Sequence, residues 1–417
     1  MAAGESGEGL PRRARALALL SAHRVVHSLA KLVPRSPRYW LFGYQEGLFL
    51  GNPKLLFLWI SLHRPDMTVT WITDHGETRA FLRRNGYRAH GRWSPGGVLA
   101  ALRAGVYVYA HGLRTVNLSL SGGAFLLNLW HGVGLKGVKY GFRRGANSEP
   151  EQLKPANIVE RWAQITYLLP PDNLVTTSDF TQRHFAEQFR LPVERCPQLG
   201  YPRLDCASDP RLLERVEELD RQLGFRFNPR GSREVYIYMP TFRDTARPFV
   251  EEALPDLGRL SDALRARDAT LYVKLHPYTR TDMSFEHGNI IEWPDEIDVH
   301  GYLQRFTGLI TDYSSILYDY LFVRDAGAIL YTFDYDEYLA NDRSLLYPFD
   351  ENVAGLRVST FDELCRALEE GSSLSPGLAP KAREVTRKFW GGSARPASRA
   401  VVDHVLGLLG GGGAPSR

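Results

Sequence analysis

Only three of the 417 residues are cysteine, and Cys196, Cys206 and Cys365 stand too far apart for a disulfide framework or a close Cys/His metal cluster. Such sparse thiols fit a reducing compartment. No apolar run reaches the roughly 20 residues that cross a bilayer. The longest, around Leu48 to Leu62, is broken by Gly51, Asn52, Pro53 and Lys54. The first residues also lack the short uninterrupted apolar block of a secretory signal, so the chain is expected in the cytoplasm. Net charge is small: 51 Lys and Arg minus 47 Asp and Glu leaves +4, which by itself gives no footing for a nucleic-acid partner. There is no internal sequence repeat, and no strand-end carboxylate cluster resembles a DxD metal site.

Acid is missing locally. Between Leu10 and Arg38 the cations Arg12, Arg13, Arg15, Arg24, Lys31, Arg35 and Arg38 meet no Asp or Glu. At helical spacing Val25, Val26, Leu29, Leu32 and Val33 fall on one face, and Arg13, His23, Arg24, His27 and Lys31 on the other. The segment 1–38 therefore reads as a basic amphipathic helix. It either rests on an anionic membrane surface, where each well-placed cation contributes about 1 kcal/mol, or packs on its own domain.

The chain as a whole is ordinary globular material, 44% hydrophobic and 24% charged. Beyond residue 38 short β-rich runs alternate with helical stretches, the pattern of α/β sheets covered on both faces. Candidate strands are Met67 to Thr73, Val106 to Ala110, Ala124 to Trp130 and Asn173 to Thr177. After the turn-rich Asn228 to Gly231 come Glu234 to Met239, Thr270 to Leu275, Asn289 to Glu292, Gly308 to Thr311 and Ala328 to Thr332. The expectation is two doubly wound Rossmann-like domains, 39–227 and 228–409, facing a cleft, with a disordered tail at 410–417. Ligands in such folds bind beyond the carboxyl ends of the strands, so motifs there come first.

Asn128-Leu129-Trp130-His131-Gly132-Val133-Gly134-Leu135-Lys136 runs an apolar strand into a histidine and a glycine-punctuated basic loop. An imidazole at a strand end can take a proton from an attacking hydroxyl near neutral pH. Lys136, Lys139, Arg143 and Arg144 follow, suited to an anionic acceptor or a lipid headgroup. Tyr272-Val273-Lys274-Leu275-His276-Pro277 is a second strand that ends in histidine, and His276 could donate to a phosphate oxygen. Either histidine could equally serve packing alone.

In Leu309-Ile310-Thr311-Asp312-Tyr313-Ser314-Ser315-Ile316-Leu317 a strand turns into an apolar helix, with Ser314 or Ser315 as a natural N-cap. A helix start with added hydroxyls suits a pyrophosphate. Arg243, in Met239-Pro240-Thr241-Phe242-Arg243-Asp244, and Arg343, after Asp334-Tyr335-Asp336-Glu337-Tyr338, are candidate phosphate ligands or surface ion pairs.

Taken in order, WHGVGLK at 130–136, GYPRLD at 200–205, MPTFRD at 239–244, KLHPY at 274–278, TDYSSILYDY at 311–320 and FDYDEYLANDRSLLYPFDE at 333–351 resemble the CDP-glycerol glycerophosphotransferase family, which makes teichoic acids and related capsule polymers. The resemblance covers roughly residues 39–408. It implies a glycosyltransferase-B type scaffold, with His131 matching a catalytic base and His276 lining the donor phosphates. Asp312, Ser314, Ser315, Arg243 and Arg343 fall to the donor side. Where family members commonly carry Thr-Pro after His-Gly, this chain has Val133 and Gly134. The implied partners are a CDP-glycerol donor, a lipid-linked or polymer acceptor and the inner face of the cell membrane, with no cofactor, no metal and a homo-oligomer left open. A nucleotide-sugar transferase on the same scaffold is the alternative.

Overall fold

A computed structural model describes residues 21–134, 169–243, 245, 247–324, 327–342, 345, 347–374, 376–393 and 395–411. The described residues form two compact units: 21–131 with 169–175 and 399–411, and 132–134 with 176–398. Residues 176–227, expected with the N-terminal domain, thus group with the second unit. The reason is packing: Tyr302 donates to buried Asp220 at 2.9 Å, and Thr177 Oγ1 donates to the Phe389 carbonyl at 2.6 Å.

The first unit holds one six-stranded sheet. Its strands are β1 (Ser36–Phe42), β2 (Thr68–Ile72), β3 (Ala89–His90), β4 (Ala104–Tyr109), β5 (Phe125–Asn128) and β6 (Asn173–Leu174), in the order β3-β2-β1-β4-β5-β6. Every neighbouring pair is parallel. β4 and β5 are buried at every position, as parallel strands covered on both faces must be. Sequence pattern did not single out β1, although it lies at the centre of this sheet.

The second unit repeats the plan with β7 (Glu234–Met239), β8 (Ala269–Val273), β9 (Ile290–Glu292), β10 (Gly308–Thr311), β11 (Ala328–Tyr331) and β12 (Leu356–Val358). The order β9-β8-β7-β10-β11-β12 is again all parallel. Its helices carry clear local signals. Phe361–Glu370 starts from a Thr360/Glu363 capping box and stops at Gly371, whose φ of +65° suits glycine.

The N-terminal segment departs from its expected faces. Residues 21–30 are helical, but the side turned inward is that of His23, His27 and Ala30. His23 Nδ1 pairs with Ser119 Oγ, and His27 Nδ1 lies 3.3 Å from Ser121 Oγ. A Cβ at Gly122 would fall 1.9 Å from the His27 carbonyl, so only glycine permits this approach. Val25, Leu29 and Leu32 are 51%, 59% and 78% exposed. Hydrogen bonds from the two histidines, with Val26 packed on the core and Ala30 buried, hold this helix to its unit, while most of the expected apolar stripe faces outward.

The basic patch is also thinner than its composition. Arg35 donates to the carbonyls of Ala101, Ala104, Leu120 and Gly122, and Arg38 pairs with Asp66. Among the described residues no helix is long and apolar enough to cross a membrane.

Candidate functional site

In each unit the candidate groups lie past the carboxyl ends of the strands. In the first, β5 ends at Asn128 and the backbone turns sharply: Trp130 has a φ of +53°, left-handed for a bulky residue. Hydrogen bonds hold that turn. Asn128 Oδ1 accepts from Trp130 N at 2.8 Å, and the buried Asn52 amide donates to the Trp130 and Leu129 carbonyls at 2.9 and 3.3 Å. Strain of this kind costs about 1–3 kcal/mol and persists only where the surroundings enforce it.

The turn presents His131, which is exposed. Its Nδ1 lies 3.3 Å from the Ala110 carbonyl, an acceptor only. Nδ1 therefore carries the proton of the neutral ring, and Nε2 carries the lone pair. The ring stacks on His111 at 4.3 Å and 8°, and lies tilted against Trp130 at 4.1 Å and 36°. Burial lowers the His111 pKa to about 4. A charge arriving on His131 thus meets a neutral imidazole and an indole face, not a second cation.

In the second unit β8 ends at Val273, and His276 stands exposed in the loop beyond. Its Nδ1 accepts from Tyr278 N at 3.3 Å, so in the neutral ring the proton sits on Nε2. Phe242 and Tyr278 flank the ring, with centroids at 5.3 and 5.2 Å. The two histidines thus take opposite tautomers, one offering a lone pair and the other a proton.

The β10 turn leads to the helix Ile316–Val323. Ser315 holds its cap position but makes no side-chain cap bond, contrary to the ordinary role of such a serine; Ser314 Oγ accepts from Ile316 N at 3.4 Å. Both serines are half-buried. A Cβ at Gly132 would stand 3.0 Å from Ser315 Oγ, so the glycine leaves the space beside that hydroxyl open.

Arg243 and Asp312 differ most from their expected role as phosphate ligands. Arg243 is 1% exposed, and its guanidinium goes to Asp334 Oδ2 and Oδ1 at 2.8 and 3.0 Å, Asp312 Oδ2 at 2.9 Å and the Thr241 carbonyl at 2.5 Å. Burial pulls its pKa down, but Asp312 and Asp334 outweigh that and hold it above the usual value. Asp312 accepts in addition from Thr241 N at 2.8 Å and Tyr313 N at 2.5 Å. A buried guanidinium needs its carboxylates, so this cluster ties the loops after β7, β10 and β11 together. Lys136, Lys139, Arg143, Arg144 and Arg343 lie outside the described residues.

Sequence reasoning passed over His111, although it ends β4 as His131 ends β5. The same signal, an apolar strand running into histidine, would have found it.

A model of the family described as CDP-Glycerol:Poly(glycerophosphate) glycerophosphotransferase matches residues 27–407. The chain belongs to this family. The resemblance carried by the ordered motifs is thereby borne out over nearly the whole length. Among relatives, a teichoic acid glycerol-phosphate transferase of Staphylococcus aureus is 24% identical over 364 residues, 83% of this chain and 87% of the relative. A teichoic acid ribitol-phosphate primase of Bacillus spizizenii is 28% identical over 186 residues, 44% of this chain and 46% of the relative. The Staphylococcus aureus ribitol-phosphate polymerase TarK is 30% identical over 194 residues, 44% of this chain and 36% of the relative. The chain thus spans less than half the length of these last two relatives. The wall teichoic acid polymerase TagF shares the fold, with a TM-score of 0.70 at 19% identity over 96% of this chain and 97% of that one.

Proposed function

We propose that this family member transfers glycerol phosphate from CDP-glycerol to a hydroxyl of a lipid-linked or polymer acceptor, releasing CMP. The observation that carries the reading is the 3.3 Å approach of His131 Nδ1 to the Ala110 carbonyl: an Nδ1 that donates there leaves the lone pair of a base on Nε2. The acceptor hydroxyl gives its proton to Nε2, and its oxygen attacks the phosphorus bearing glycerol. The bond from that phosphorus to the bridging oxygen breaks, and CMP leaves with the electron pair. His276 Nε2–H donates to a phosphate oxygen, and Ser314 and Ser315 add hydroxyl donors at the helix start. Arg343, Lys136, Lys139, Arg143 and Arg144 keep their proposed anion-binding roles, whereas Arg243 and Asp312 act by holding the loops. The scheme calls for no cofactor and no metal.

The test follows CMP release at saturating CDP-glycerol for His131→Ala. A loss of roughly 10²- to 10⁴-fold is expected, and near wild-type turnover would remove the base assignment. A ribitol-phosphate donor is the second reading, favoured by relatives named for ribitol phosphate. Thermal-shift screening against CDP-glycerol, CDP-ribitol and UDP-sugars separates these donors and the nucleotide-sugar alternative, because a ligand of the folded state raises apparent stability.

The same proposal sets the chain on the inner face of the cell membrane through residues 21–32. The support is the outward apolar trio Val25, Leu29 and Leu32. Replacing those three by serine, which leaves the Arg35 hydrogen bonds intact, should weaken sedimentation with anionic vesicles; unchanged binding would reject it.

A further inference from the structure

Beneath the serine turn of the second unit runs a buried chain of charge that the proposed transfer does not use. Asp319 is the fourth residue of the helix Ile316–Val323, so it stands one turn below Ser315 on the same face. It is 1% exposed, and its Oδ2 forms an ion pair with Arg203, itself 4% exposed, from the turn Pro202–Ala207. His300, in the segment Val299–Arg305, brings Nε2 to 3.5 Å from the same oxygen and Nδ1 to 2.8 Å from Asp298 Oδ1. The Arg203 guanidinium also lies over the Tyr201 ring at 5.4 Å, and the Tyr201 hydroxyl donates to the Gly132 carbonyl at 3.3 Å. A Cβ on Gly132 would meet Ser315 Oγ at 3.0 Å and an Arg203 terminal nitrogen at 3.8 Å. Segments at 132, 201–203 and 315–319 therefore converge on the space beside one hydroxyl.

Resting on the reading of this turn as a donor-phosphate site, we propose that Arg203, Asp319 and His300 are positioning residues that hold the Ser314–Ser315 turn in place for an anionic donor, and that the proton on His300 is part of the hold. Geometry explains the coupling. A proton on His300 lets both ring nitrogens donate, Nδ1 to Asp298 and Nε2 toward Asp319; without it one nitrogen turns a lone pair toward a carboxylate oxygen, which is unfavourable. Burial and Arg203 push the His300 pKa down, but Asp298 and Asp319 outweigh both and raise it above 6.5. Those are the charged groups that face the ring: Arg203 from its turn, Asp319 from the helix and Asp298 from the segment's own start. A raised histidine contributes fully below about pH 6.5, and its contribution is lost as pH rises through the folded-state value.

Two readouts decide the proposal. Hydrogen-exchange protection of amides 314–319 is measured on the unliganded chain between pH 6 and 9, and CDP-glycerol affinity by calorimetry over the same range. Arg203→Met should lower protection across the turn and weaken the donor by roughly 10- to 100-fold, as small misplacements do. Arg203→Lys, which keeps the charge and loses the fork, should recover part of both. The parent chain should lose protection as pH rises, and His300→Gln should flatten that loss. Wild-type protection in Arg203→Met, or an unchanged alkaline limb in His300→Gln, overturns it. If Arg203→Met does not fold, the lysine and glutamine variants carry the test. A parent chain that ignores CDP-glycerol would sink the donor reading, while the protection data would still decide the positioning network.

Discussion

The first sheet, β3-β2-β1-β4-β5-β6, and the second, β9-β8-β7-β10-β11-β12, share one strand order, yet each carries its candidate histidine on a different side of the switch point. In the first unit His131 follows the strand outside β4; in the second His276 follows the strand outside β7. The partner of Nδ1 differs as well, a carbonyl for His131 and an amide for His276. So does the means of holding the loops. The first unit uses neutral amides, Asn52 and Asn128, whereas the second uses buried ions, Arg243 between Asp312 and Asp334. One topology used twice therefore leaves the chemistry open, and the two imidazoles differ in the backbone group each is offered.

Glutamine substitution probes that difference most strongly. Glutamine supplies an N–H donor but no base, so His131→Gln should lose turnover by about 10²- to 10⁴-fold, like His131→Ala. His276→Ala should lose about 10²- to 10³-fold, and His276→Gln should regain a large part. Equal rescue at both positions in a CMP-release assay would erase the distinction. Next in size is the ionic clamp. Arg243→Ala leaves buried Asp312 without its guanidinium, while Asp334 keeps Arg247 at 2.7 Å, and should cost about 3–5 kcal/mol in denaturant unfolding. Its neutral counterpart, Asn52→Ala, removes a buried donor from two carbonyls at a cost of about 1–3 kcal/mol, together with lower turnover from the loosened Trp130 turn. A ranking reversed between these two would contradict the ionic-versus-neutral contrast.

The smallest effect is proton-linked. The His111 pKa is lowered to about 4, so its stabilising neutral form is complete above 6.5 and lost as pH falls toward 4. Between pH 7 and 5.5 that amounts to about 1 kcal/mol. His111→Phe, which keeps a ring against His131, should remove this part of the acid dependence of the unfolding midpoint.

Much of the fold was legible because parallel strands buried on both faces write themselves as apolar runs. Glu234 to Met239 and Gly308 to Thr311 matched β7 and β10 residue for residue. β1 was harder to read, since its first three residues, Ser36, Pro37 and Arg38, are exposed and follow a basic helix. At the site, strand-end histidines could be read from pattern, but partners could not. Nothing local distinguishes Arg243, which faces two carboxylates 69 and 91 residues away, from an arginine that meets phosphate. The helical stripe at Val25 and Leu29 was visible, yet its direction depended on Ser119, Ser121 and the bare Gly122, contacts that periodicity does not encode.

The helix Ala397–Gly410 begins with Ala397 and Ser398 donating to Asp205 in the second unit, each at 2.7 Å. It continues into the first, where His404 Nε2 lies 3.0 Å from Asn173 Oδ1 beside β6. On the ribosome this wall of the first unit emerges only after the whole second sheet has been made. The first unit is therefore complete in its contacts only when the last turns of the chain are made.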